Sequence, residues 1–146
     1  MKPISLTSLF FALLFFSCDI RQTEIEKTQS ATQKKQPTYT TSAQIIDTTY
    51  HFGKVKEGDV VEFSYRFKNT GTKPLVIEQA AASCGCTVPE KPEHPIAPGE
   101  MGYIKVKFNS QGRPGEAQKT ISVTSNARPD FPILYLKGTV IGKEKE

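Results

Sequence analysis

The chain has 146 residues, which is long enough for one domain of ordinary size but not for two well-packed cores. Its 19 lysine and arginine residues only slightly outnumber its 15 aspartate and glutamate residues, so the formal net charge is +4. The basic residues are scattered, with no long basic run and no aromatic residues interleaved as stacking platforms. This pattern argues against a nucleic-acid-binding protein.

The chain begins with the pattern of an export signal. Lys2 precedes an uncharged apolar run over residues 4–16, which is too short to span a bilayer but has the length of a signal-peptide hydrophobic region. Ser17 and Cys18 follow, and a cysteine directly after a small residue resembles the bacterial lipoprotein signal. We therefore predict that residues 1–17 are removed and that Cys18 becomes the lipidated first residue. Simple secretion and a retained anchor are the alternatives.

Residues 18–43 contain few large apolar side chains and many Gln, Thr and Lys residues. Such a segment cannot bury enough apolar surface to fold alone, so we predict a disordered tether. About 25 flexible residues span roughly 25–30 Å on average, which holds a domain clear of the lipid headgroups. We predict the folded domain over residues 44–142 and a charged tail over residues 143–146.

From Gln44 onward, short runs alternate between apolar and polar residues, and this alternation is typical of half-buried strands. In residues 60–69, one face carries four apolar side chains, namely Val61, Phe63, Tyr65 and Phe67. The same alternation predicts strands over residues 103–109, 119–125 and 132–141. Two further strands are marked by apolar residues at alternate positions, Tyr50 with Phe52 and Leu75 with Ile77.

Turn-forming residues separate these runs, and no segment has a convincing helical period. About seven short strands in about 100 residues predict an all-β fold, an immunoglobulin-like β-sandwich. The antibody pattern itself is absent, because the chain contains no tryptophan and a Cys-Gly-Cys sequence cannot bridge two sheets.

Residues 83–127 contain four recognisable pieces: the SCGCT turn, the PIAPGE turn before a strand, the GRPG turn, and a final strand ending in SNA. Together with residues 51–77, they resemble the bacterial family catalogued as domain of unknown function 1573. The resemblance covers about residues 45–141 and implies an immunoglobulin-like sandwich related to domains of ciliary and sperm-surface scaffold proteins. It also implies a location in the cell envelope, often through a lipid anchor, and it implies no activity.

Neither histidine belongs to a recognisable catalytic motif. His51 lies at a strand start and His94 in a proline-rich loop, and the sequence has no GxSxG, HExxH or glycine-rich phosphate loop. The acidic residues are spread over outer strand faces and loops, as solvated charges are. We therefore predict that the protein is not an enzyme. A hydrolase of envelope polymers that depends on His51 or His94 is a minor alternative.

Cys84 and Cys86 allow three interpretations. On a straight strand their Cα atoms would lie about 6.5–7 Å apart, at or past the limit for a disulfide, but a turn at Gly85 brings them closer. Because nearby thiols outside the cytoplasm tend to oxidise, the first interpretation is a disulfide or redox pair. The second is a copper site, in which two thiolates bind Cu(I) and His94 or Met101 is a third ligand. The third is a structural turn whose sulfurs act as small apolar groups.

Asp47, Thr48 and Thr49 form a motif that has two interpretations. The three residues resemble an acceptor for O-linked glycans in one large group of envelope bacteria, which would put a glycan on Thr48. The ordinary start of a strand is the favoured interpretation.

These observations predict a non-catalytic, lipid-anchored protein that presents an immunoglobulin-like interaction module to protein or glycan partners. We expect it in the cell envelope, on the outer membrane, facing the periplasm or the cell surface. Its contact with the membrane is the lipid anchor, and no cofactor, nucleic acid or small-molecule substrate is expected. The alternative function is copper binding or redox chemistry at Cys84 and Cys86.

Overall fold

The structure is a computed structural model that describes residues 37–143. Its regular structure consists of eight strands: β1 (Ala43–Ile45), β2 (Thr49–Lys56), β3 (Val60–Asn69), β4 (Ile77–Ala82), β5 (Thr87–Glu90), β6 (Met101–Asn109), β7 (Gly115–Ser125) and β8 (Leu134–Ile141). Within these described residues, no helix has the length and apolar character needed to cross a membrane. The predicted signal peptide, Cys18, most of the tether and the end of the charged tail lie outside the described residues.

The strands form two four-stranded sheets. Sheet I has the order β1-β3-β6-β5, and sheet II has the order β2-β8-β7-β4. Neighbouring strands run antiparallel except β2 and β8, which run parallel. Apolar side chains from both sheets meet in one core, and this confirms the predicted all-β, immunoglobulin-like sandwich.

Alternation along the strands decides which side chains enter the core. In β6, four alternate residues are buried and the residues between them are exposed. In β3, the buried Tyr65 hydroxyl donates a 2.7 Å hydrogen bond to the carbonyl oxygen of Tyr135 in β8, which ties sheet I to sheet II. Burial raises the pKa of this hydroxyl, because ionisation would leave a charge between the sheets. The burial patterns of β3 and β6 confirm the alternation that the sequence predicted for these two strands.

Two strands in the structure, β1 and β5, are absent from the sequence-based prediction. They have three and four residues, which is too few to display an alternating pattern. Pro89 lies within β5, and a proline ordinarily argues against a strand, but β5 is an edge strand, where proline is tolerated. In addition, β7 begins at Gly115 rather than at residue 119, because the end of the GRPG segment enters the strand.

Asp47 lies where the chain leaves sheet I for sheet II. Its carboxylate accepts hydrogen bonds from the backbone N–H of Arg66 at 2.9 Å and from the guanidinium Nε and Nη2 at 2.8 and 3.0 Å. These hydrogen bonds lower the pKa of Asp47 below its ordinary value. A carboxylate with a lowered native pKa stabilises the fold above its unfolded pKa of about 3.9, and this stabilisation disappears as the pH falls through the native pKa.

We expect Asp47→Asn to lower the Tm by about 2–4 °C at pH 7 and to have progressively less effect below about pH 4. Thermal unfolding followed by circular dichroism between pH 7 and pH 2 measures this difference. Asp130→Asn is the control, because Asp130 pairs with Arg128 in an ion pair whose carboxylate and guanidinium side chains are 78% and 63% exposed. We expect the control to shift the Tm by less than about 1 °C. An effect of Asp47→Asn that is the same at every pH would contradict the argument.

Candidate functional site

The chain crosses from sheet II to sheet I between β4 and β5 through the cysteine turn, residues 83–87. Three backbone hydrogen bonds hold this turn in the fold. The N–H of Ser83 donates to the carbonyl oxygen of Thr120 at 3.0 Å, and the N–H of Asn109 donates to the carbonyl oxygen of Cys86 at 2.9 Å. Within the turn, the N–H of Thr87 donates to the carbonyl of Cys84 at 3.1 Å. None of these bonds involves a sulfur atom.

The Sγ atoms of Cys84 and Cys86 are bonded to each other, with a Cα–Cα distance of 5.3 Å. The turn therefore brings the two residues closer than a straight strand would. Cys84 is half-buried, whereas Cys86 is 9% exposed and belongs to the core. Gly85 between them is exposed and does not have a positive φ, so its backbone conformation does not require glycine.

Thr87 is the polar side chain next to both sulfurs. Its hydroxyl is 3.6 Å from Sγ of Cys84 and 3.8 Å from Sγ of Cys86, and the residue is only 3% exposed. Because the two sulfurs are bonded to each other and hold no hydrogen, the hydroxyl is the donor in these contacts. Threonine at this position gives the disulfide a buried hydrogen-bond donor.

The structure does not bring Met101 to the cysteine turn. Met101 begins β6, whereas Cys86 pairs through its carbonyl with Asn109 at the other end of β6, about 26 Å along the strand. His94 is exposed in the loop between β5 and β6. Among residues 37–143, no group of three or more His, Cys, Asp or Glu side chains has the arrangement of a metal site. Copper binding by two thiolates would require the reduced form of the cysteine pair.

The other sequence-predicted positions are also dispersed. His51 lies in β2, at the edge of sheet II opposite β4, and His94 lies in a loop of sheet I. The carbonyl of Thr48 accepts a 2.8 Å hydrogen bond from the N–H of Tyr135, which starts the parallel pairing of β2 with β8. The Thr48 residue is exposed.

The four edge strands differ in how they are protected from pairing with another chain. Short length, proline, charge and bulges are the usual protections. β1 has three residues, and β5 has four residues that include Pro89 and Glu90. β2 has a bulge near Gly53, where φ is 70°, and carries Lys54. β4 is six residues long and has Glu78 and a bulge between Ile77 and Gln79 at its beginning, whereas residues 79–83 contain neither charge nor proline. Over residues 79–83, the edge of β4 is therefore the least protected of the four.

The backbone of β4 presents hydrogen-bonding groups on its outer side. Ser83 bonds to Thr120 in β7, and bonded and outward-facing residues alternate in an antiparallel pair, so the N–H and C=O of Ala80 and Ala82 point away from β7. These four groups have no backbone partner within residues 37–143. The side chains of Ala80 and Ala82 pack against the core, so they do not cover the edge. This edge was not predicted from the sequence, although the uncharged QAAAS segment, residues 79–83, indicates a strand without edge protection.

Solved structures that resemble this one share its fold at low sequence identity. A protein of unknown function from Porphyromonas gingivalis W83 matches with a TM-score of 0.56 and 15% identity over 70% of this chain, which corresponds to 47% of that protein. The ASH/PapD-like domain 7 of human CEP192 matches with a TM-score of 0.55 and 14% identity over 72% of this chain and 89% of that domain. The VesB protease of Vibrio cholerae matches with a TM-score of 0.52 and 13% identity over 67% of this chain and 32% of that protein.

These likenesses concern the sandwich alone, and the chain spans about half of the Porphyromonas protein and a third of VesB. No curated protein matches the sequence. A family model described as a protein of unknown function, DUF1573, matches residues 43–140. Because this match extends from the first residue of β1 to the next-to-last residue of β8, the chain belongs to the DUF1573 family.

Proposed function

We propose that this protein is a non-catalytic, lipid-anchored module of the cell envelope that binds an envelope protein by adding a strand of that partner to β4. The observation that carries the proposal is the outer edge of β4 after Glu78, where the backbone groups of Ala80 and Ala82 have no backbone partner within residues 37–143. The anchor rests on the apolar run followed by Cys18 in the sequence. The tether that follows would let the domain reach a partner away from the lipid surface.

Strand addition requires donors and acceptors at the spacing of a β-ladder, and the outer side of β4 meets this requirement. An extended segment of another protein would pair with the N–H and C=O groups of Ala80 and Ala82. The small side chains of residues 80–82 leave its approach open. A protein partner is favoured over a glycan, because regularly spaced main-chain groups match a peptide backbone and not a sugar ring.

The test is site-specific cross-linking in cells that produce the full chain. A photoreactive residue at Gln79, which is exposed on β4, is expected to give one reproducible protein adduct. Ala80→Pro removes the outward N–H and should reduce that adduct about tenfold, whereas Ala80→Ser keeps the N–H and should retain it. The same photoreactive residue at Lys54 on the protected β2 edge should not capture this protein. Equal adduct yields from Ala80→Pro and Ala80→Ser, with both variants folded, would refute the edge as the binding site.

The anchor is tested on the same cells by the intact mass of the purified chain. A lipid mass on a chain that begins at residue 18, absent in Cys18→Ser, is the expected result. A chain that begins elsewhere, or that begins at residue 18 without added mass, would contradict lipidation and leave the β4 experiment interpretable.

A further inference from the structure

We propose that the Cys84–Cys86 disulfide is a thiol–disulfide exchange site, at which an external thiolate attacks Sγ of Cys84 and releases Cys86. The inference concerns a second activity of the molecule and does not depend on strand addition at β4. It rests on the unequal exposure of the two cysteine residues, the position of Thr87, and the backbone hydrogen bonds of the cysteine turn.

The two cysteine residues differ in exposure. Cys86 is 9% exposed and belongs to the core, whereas Cys84 is half-buried between the exposed residues Ser83 and Gly85. A side-chain Cβ at Gly85 would meet no atom within 4 Å outside Cys84 and Cys86, so no other part of the fold covers the turn at Gly85. Exchange depends on which sulfur an attacking thiolate can reach. The arrangement therefore directs attack to Cys84 and makes Cys86 the leaving group.

Thr87 is positioned to stabilise the leaving group. Its buried hydroxyl lies 3.8 Å from Sγ of Cys86, and the sulfurs are its hydrogen-bond partners. A hydrogen bond to a charged acceptor is shorter and stronger than one to a neutral acceptor. The hydroxyl would thus contribute more to the Cys86 thiolate than to the disulfide, and a better-stabilised leaving thiolate leaves faster.

The fold accommodates both redox states. The three backbone hydrogen bonds of the cysteine turn do not pass through sulfur, so the turn keeps its supports when the S–S bond opens. A disulfide with a sequence separation of two residues closes a very short loop. Such a loop constrains the unfolded chain least, so a large gain in fold stability is not the reason for this bond.

Exchange at the Cys84–Cys86 disulfide transfers two electrons in two steps. A thiolate RS⁻ attacks Sγ of Cys84, and an R–S–Sγ bond forms on Cys84. The Sγ–Sγ bond breaks, and its electron pair stays on Cys86, which leaves as a thiolate. A second RS⁻ then attacks the sulfur of R, releasing the disulfide RSSR and the Cys84 thiolate. Two electrons pass from two thiols to the protein, and each cysteine sulfur takes up a proton from the solvent. The reverse reaction with RSSR restores the Cys84–Cys86 bond.

The first experiment uses full-length Cys86→Ser and Cys84→Ser, each incubated with oxidised glutathione and followed by mass spectrometry. Cys86→Ser, which keeps the accessible thiol, should form the mixed disulfide at least about tenfold faster than Cys84→Ser. Equal rates, or a faster Cys84→Ser, would overturn the inference. Both incubations use the isolated chain and a small-molecule disulfide, so their outcome does not depend on a partner bound at β4.

The second experiment measures reduction of the intact disulfide in the folded chain by glutathione and, separately, by a peptide with one cysteine. Thr87→Val should slow both reactions about fivefold, and Thr87→Ser, which keeps a hydroxyl, should restore them. A faster reaction with the peptide indicates a protein thiol as the partner, and a faster reaction with glutathione indicates a small thiol. Reduction only under denaturing conditions, or equal slowing by both Thr87 variants, would overturn the inference.

Discussion

Replacing Asn69 by alanine is expected to lower the free energy of unfolding by about 3–5 kcal/mol. Asn69 ends β3 and has 0% exposure. Its Oδ1 accepts hydrogen bonds of 3.1 Å from the N–H of Gly71 and from the hydroxyl of Thr41. Its Nδ2 donates to the carbonyl oxygens of Lys73 and Ile96 at 2.8 and 2.9 Å. One side chain therefore joins the segment before β1, the loop after β3 and the loop before β6.

Alanine would remove these four hydrogen bonds, each of which contributes about 0.5–1.5 kcal/mol net, although every partner group keeps one other hydrogen bond. Asn109→Ala is the matched control. Asn109 also ends a strand, but it is exposed and its Oδ1 accepts one hydrogen bond, from the N–H of Gln111 at 2.9 Å. We expect the control to cost less than about 1 kcal/mol. Urea unfolding of both variants provides the comparison, and equal losses would show that the buried network contributes little.

Gly102→Ala is expected to be the second most damaging change, with a loss of about 2–4 kcal/mol. A Cβ at Gly102 would lie 2.3 Å from Cζ of Phe67 across the β3–β6 pair. Phe67 is 1% exposed and makes an edge-to-face contact with Phe131, with ring centroids 5.3 Å apart. Because the ring is enclosed by the core, it cannot move aside without disturbing its neighbours.

Two other glycines provide the comparison for Gly102. A Cβ at Gly138 would lie 2.3 Å from the ring of Phe52, but Phe52 is only partly buried and has room to move, so we expect a smaller loss of about 1–2 kcal/mol. A Cβ at Gly85 would meet no atom within 4 Å outside its two chain neighbours, so Gly85→Ala should change stability by less than about 0.5 kcal/mol. Thermal or urea unfolding ranks the three variants. A Gly85→Ala loss as large as that of Gly102→Ala would contradict the steric argument.

The sequence predicted the long strands, apart from the first four residues of β7, because each of them repeats one local rule. Residues 60–69 were predicted as a strand and form β3, Val60–Asn69, with alternate side chains in the core. In β6, the predicted inward residues Ile104, Val106 and Phe108 are buried. The family resemblance was also readable, because the turn motifs that carry it are contiguous in the chain.

The candidate site could not be predicted in the same way. Asn69 lies in the segment KNTGTKP, where the sequence indicates a turn residue. Only the packing of distant segments around its amide buries it and gives it hydrogen bonds to Thr41 and Ile96. The exposure of β4 depends on sheet order, since a strand is an edge only when no other strand pairs with its second side. The spacing of Cys84 and Cys86 did not decide whether an S–S bond forms, because two residues with one residue between them can lie within or beyond bonding distance, depending on the turn.

The sequence by itself determined the all-β character, most of the strand positions, the inward and outward faces, and the family. These properties follow from alternation and turn chemistry between neighbouring residues. Only the tertiary structure decided the order of strands in each sheet, the parallel pairing of β2 with β8, and the open edge of β4 beside a cysteine turn. These features arise from contacts between residues far apart in the chain, and the local pattern of one sequence is compatible with several such pairings.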